Sequence, residues 1–144
     1  MSSKHRCAAL VSVAFCFAMV IISCVPHRPI GSSARCVADS VSVSAVRAAA
    51  VRVFFDSRYP GFTAFRKKWG VRGDSSALKT VTDSHICSAI AAAIGSPVTG
   101  QTKPRSVIVL QLGDLYYAQN AETGGAEFVF DNSMKLLDFF IAPS

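Results

Sequence analysis

Histidine, acid and tryptophan are scarce in this 144-residue chain, which has three His, nine Asp plus Glu and a single Trp. No Cys-x-x-Cys, His-x-x-x-His or Gly-x-Ser-x-Gly occurs in it. Thioredoxin-type thiol exchange, a helical zinc site and a nucleophile elbow therefore have no starting point. His85 stands two residues from Cys87, a spacing that turns the two to different sides of a helix and keeps them from acting as base and nucleophile. No metal site, cofactor or catalytic residue is expected. Charge is missing altogether from Cys7 to Pro26, and no acid precedes Asp39.

That charge-free stretch says where the protein works. Lys4-His5-Arg6 comes first, then an apolar run from Cys7 to Ile22, then Ser23-Cys24-Val25-Pro26. Charge, apolar run and small residues in that order read as an export signal. The 19 residues from Cys7 to Val25 fall just short of the roughly 20 that a spanning helix needs, so an uncleaved anchor stays open as the alternative. The small residues, followed by Pro26 and Pro29, favour cleavage.

Ile21-Ile22-Ser23-Cys24 resembles the lipobox of bacterial lipoprotein signal peptides. The resemblance implies a lipid on the Cys24 sulfur and several acyl chains holding the protein to a membrane. Residues 1–24 are read as signal peptide or membrane anchor. Residues 25–35, with two Pro, one Gly and two adjacent Ser, have the composition of a flexible tether. Residues 36–144 then form one domain, within the usual size range. The expected location is exported: a membrane-anchored lipoprotein, or a periplasmic or secreted protein.

From Val25 onward 13 Lys and Arg face nine acids. This is too mild a bias to imply nucleic acid, and an exported protein has the wrong address for it. Cys7 and Cys16 belong to the leader and Cys24 to the processing site. Cys36 and Cys87 are left as a pair that an oxidising compartment would bridge.

Periodicity gives an α+β domain. Val37, Val41, Ala45, Ala48 and Val51 recur at helical spacing up to Phe55, with Asp39 or Ser40 as cap. A short amphipathic helix follows from Phe62 to Trp69. Another runs from about Ser84 to Ile94, capped by Asp83 and ended by Gly95-Ser96-Pro97. The period then changes. Val107–Leu112 and Leu115–Gln119 flank Gly113-Asp114, a pair suited to a type II′ hairpin turn. Glu127–Phe130 and Lys135–Ile141 complete a four-stranded antiparallel meander, with two or three helices expected on one face.

Arg66, Lys67, Lys68, Trp69 and Arg72 form a candidate membrane contact. Each basic residue near an anionic surface adds about 1 kcal/mol, and Trp suits the interface. The competing reading makes the aromatics core and the charges a solvated face. Among the carboxylates, Asp114 and Asp131 read as turn residues, and Glu127 and Asp138 as solvent-facing strand positions.

Thr82-Asp83-x-x-x-Cys87, Leu110-Gln111-Leu112-Gly113-Asp114-Leu115-Tyr116-Tyr117 and Val129-Phe130-Asp131 resemble segments of small uncharacterised exported bacterial proteins. The similarity runs from about Phe62 to Ile141. It implies export and the order helix, then hairpins, and assigns no activity. The leading expectation is a non-catalytic, membrane-tethered binding module of the cell envelope with an unidentified envelope ligand. The alternatives are a small envelope hydrolase using sheet-borne carboxylates and an inhibitor or chaperone-like module that recruits a peptide along the edge of the meander.

Overall fold

The computed structural model describes residues 33–58 and 62–141, of which 62–65 are described by backbone alone. Cys24 and the leader lie outside the described residues. Four strands form the expected meander: β3 (Ser106–Leu112), β4 (Leu115–Asn120), β5 (Ala126–Asp131) and β6 (Leu136–Ile141), each antiparallel to the next. Two short strands absent from the sequence reading share the other edge of β3. β1 (Arg35–Cys36) runs parallel to β3 at its start, and β2 (Lys79–Thr80) antiparallel to it near its finish.

The β3–β4 turn forms because Gly113 adopts φ +57°, a conformation costly for residues with a Cβ, while Asp114 stays at negative φ. This is the pattern of a type II′ turn. The β5–β6 turn is organised by Asp131, whose carboxylate accepts from the Ser133 hydroxyl (2.7 Å), the Ser133 amide (2.9 Å) and the Lys135 amide (3.0 Å).

Helix α1 (Ser40–Phe55) starts where the Asp39 side chain accepts the Ser42 amide. α2 (Phe62–Trp69) follows, then a 3₁₀ turn at Ser75–Ala77 and α3 (Ser84–Ile94). Asp83 caps α3 through the amides of His85 and Ile86. Gly95 closes α3 where no side chain fits: a Cβ there would collide with Lys103 and come within 2.6 Å of its Cα.

Helices cover both faces of the sheet, rather than the single face expected. α1 lays Val43, Val46, Ala50, Val53 and Phe54 on Ile108, Leu110, Leu112, Tyr117 and Val129. α3 lays Cys87, Ile90, Ala91 and Ile94 against the opposite set, which includes Val107, Val109, Ala118 and Phe128. Alternation along each strand sends neighbours to opposite faces, so β3 needs apolar residues at both parities. Full burial of each large side chain contributes about 1.5–3 kcal/mol.

The face that α1 buries also differs from the one expected. Val41 is 80% exposed, and Ala45 and Ala48 are exposed too. The helix is apolar on several sides, so a second stripe met the sheet.

Candidate functional site

Ala34 is buried in the α3-side core, and Arg35 follows it beside the first residue of β3. Two features fix it there. The Arg35 amide donates to the Arg105 carbonyl at 2.9 Å, and Cys36 is disulfide-bonded to Cys87, with Cα atoms 5.6 Å apart, inside the usual range for a bridge. Cys87, on the sheet-facing side of α3, is fully buried. The Ser88 hydroxyl adds a bond to the Ala34 carbonyl at 3.3 Å. A two-residue strand is thus tied covalently to the helix covering one face of the sheet.

The predicted basic cluster lies at the other end of β3, about 20 Å away at 3.3 Å per residue. Trp69, Gly70, Val71 and Arg72 meet Leu112, Gly113, Asp114 and Leu115 around a cleft of about 250 Å³. A second cleft, of about 270 Å³, lies between Ala77, Lys79, Gln111 and Gly113. Gly113 borders both, and open space surrounds the position its Cβ would take. Arg47 on α1 holds β2 in place from behind, donating to the Leu78 carbonyl at 2.8 Å and reaching the Thr80 hydroxyl at 3.4 Å.

The five residues of that cluster divide by role. Arg66 folds back: its guanidinium donates to the Val71 carbonyl at 3.1 Å and lies 5.5 Å from the Phe55 ring centroid. Trp69 packs partly against the α1-side core, and its Nε1 is buried without an acceptor among the described residues. The Lys68 ammonium sits 4.7 Å from the Trp69 ring centroid. Lys67, Lys68 and Arg72 are exposed, as is Lys79. Among the described residues one ion pair forms, Arg58 with Asp56 at 3.1 Å, so none of these four cations is paired with an acid.

The acids near this end are mostly occupied by local bonds. The Ser76 hydroxyl and amide hold the Asp74 carboxyl below the ordinary aspartate range. The Ser133 hydroxyl, then the Lys135 amide, do the same for Asp131. Asp114 sits exposed in the turn, as expected.

No family model, curated protein or solved structure matches the chain. Its chemistry is read from its own geometry.

Glu127 corrects a sequence expectation. It is 4% exposed rather than solvent-facing, because its side of β5 is also the side of Val129, under the α1 layer. Its Oε1 is 3.5 Å from Gln119 Nε2, which in turn is 3.4 Å from the Tyr117 hydroxyl. Its Oε2 has no hydrogen-bond partner among the described residues. Neither cleft includes it. Asp138 is half-buried on β6, where its carboxylate accepts the Phe139 amide at 2.8 Å.

The four sheet carboxylates do not converge. Glu127 lies toward the Arg35 end, and Asp114 and Asp131 lie at the Trp69 end. His85 is exposed at the start of α3. Sequence reasoning missed Lys79, because only long-range pairing of a two-residue strand with Gln111 brings it to Gly113, and missed Gln111, whose side chain donates to the Gly113 carbonyl within the hairpin. The signal that was present is the Gly113-Asp114 turn, noticed for the hairpin alone.

Proposed function

We propose that this protein is an exported, non-catalytic binding module, held at a membrane through Cys24, that presents the Trp69 end to a ligand. The observation that carries this is the Cys36–Cys87 bridge at the point where the chain joins the domain. Structural disulfides belong to oxidising compartments. A bridge at this place also serves a tethered protein, because pull on the N-terminal segment would otherwise fall on the few hydrogen bonds of a two-residue strand.

Two features support binding over hydrolysis at the Trp69 end. Its clefts are shallow and flanked by Arg72 and Lys79, which have no acid partner among the described residues, and of the two sheet carboxylates there one is engaged in its own turn. The edge-recruitment reading is weakened by Asp138. An amide already donating to a neighbouring carboxylate is not offered to an incoming strand.

Intact mass of the membrane-extracted protein tests the tether. The mature chain is expected to begin at Cys24 and to carry added acyl mass. A chain beginning at a later residue with a free amine would overturn lipidation.

A further inference from the structure

Taking the exported binding-module reading above as its premise, we infer that the Trp69 end binds a phosphate-bearing polyanion rather than the bilayer itself. Position comes first. Arg35 and the disulfide lie at the start of β3, whereas Trp69, Arg72, Lys79 and Gly113 gather at its finish.

The Arg35 end has cations of its own for anionic headgroups. Arg35, Lys103 and Arg105 are exposed there, with Glu122 accepting the Arg105 amide at 3.1 Å. Trp69, packed partly against the α1-side core with its Nε1 buried, is not offered to a bilayer interface in the way the membrane-contact expectation for Arg66, Lys67, Lys68, Trp69 and Arg72 requires.

The Trp69 end suits a linear polyanion in three respects. Lys67, Lys68, Arg72 and Lys79 have no acid partner among the described residues. Arg72 lines one cleft and Lys79 the other, on either side of the uncovered Gly113 turn, so successive phosphates of one chain can cross the turn and meet a cation on each flank. Arg matches phosphate with a planar fork and Lys with a point charge. Opposing charge is present but turned to local donors: the Asp74 and Asp131 carboxylates stay ionised and accept from their own turns, Asp74 from Ser76 and Asp131 from Ser133 and Lys135, and Asp114 is exposed in the β3–β4 turn.

Trp69 makes the test specific, because it is the only tryptophan in the chain. The full chain is incorporated into vesicles of neutral and anionic lipid, and its fluorescence is read with a lipid-borne quencher, with aqueous acrylamide and with added short-chain polyphosphate. The inference expects quenching by acrylamide, none by the lipid-borne quencher, and a saturable response to polyphosphate. The same response is expected of the full chain in detergent. Replacing Arg72→Gln together with Lys79→Gln should weaken polyphosphate binding at least ~10-fold and flatten its salt dependence by about one unit per cation removed. Arg35→Gln with Arg105→Gln should leave it unchanged.

Quenching by the lipid-borne quencher would overturn the inference in favour of bilayer docking. So would an absent polyphosphate response, or one lost in the Arg35/Arg105 variant and kept in the Arg72/Lys79 variant. Failure of the chain to associate with any vesicle would instead sink the tethered reading, and the detergent measurement would then judge the polyanion site alone.

Discussion

The two ends of β3 are built by opposite means. At the Arg35 end a disulfide, a backbone bond to Arg105 and a hydroxyl bond from Ser88 fix a short strand between the sheet and α3. At the Trp69 end the loops are held by side chains reaching backbone carbonyls, Arg66 to Val71 and Arg47 to Leu78, and exposed cations surround two clefts. The contrast teaches a division of labour. The covalent tie lies at the Arg35 end, and the clefts flanked by Arg72 and Lys79 lie at the Trp69 end.

The largest expected effect is on the bridge. On the chain-entropy model, replacing Cys36 and Cys87 by Ser costs about 4 kcal/mol for a closed loop of this length, measured by urea denaturation. A loss below about 1 kcal/mol would erase the proposed asymmetry. Gly95→Ala comes next: it forces a Cβ into the Lys103 backbone and should cost about 1–3 kcal/mol, as overpacking does.

At the other end, Arg47→Met removes the donor to the Leu78 carbonyl. It should cost about 1–2 kcal/mol and also loosen the Lys79 cleft, seen as faster amide exchange at Lys79–Val81.

Acid sharpens the comparison in a different way. Asp39, Asp74 and Asp131 are held below the ordinary aspartate value of 3.8, the first by the Ser42 amide and the other two by serine hydroxyls. A depressed carboxylate stabilises the fold above its unfolded value and stops doing so as pH falls through its folded value. Stability should therefore hold above about pH 4 and decline below it. Replacing Asp74 and Asp131 by Asn should flatten that decline, and an unchanged acid limb would show that these turns do not contribute. The smallest effect on stability belongs to Lys67→Gln and Arg72→Gln. Each should stay within about 0.5 kcal/mol while lowering polyphosphate affinity.

What was legible in the sequence was local. Asp39 and Asp83 as caps, Gly113-Asp114 as a hairpin turn and Gly95 as a helix stop each act within a few residues, so their chemistry declares them. Cys36 and Cys87 paired by elimination once export was assumed.

What was not legible depends on partners far away in the chain. The stripe through Val41 and Ala45 was as apolar as the one through Val43 and Val46, and only the sheet decides which is buried. β1 and β2 have two residues each and no period of their own. The runs Val107-Ile108-Val109-Leu110 and Phe128-Val129-Phe130 did carry a signal that was not used. Consecutive apolar residues mark a strand buried on both sides, which would have placed helices on both faces and Glu127 in the interior.

Hydrogen exchange of the full chain, with and without polyphosphate, tests the division between the two ends most directly. The account predicts that polyphosphate slows exchange at Lys67–Gly73 and Leu112–Leu115 and leaves Arg35–Val37 and Lys103–Ser106 unchanged. Protection at the Arg35 end, or at neither end, would contradict it.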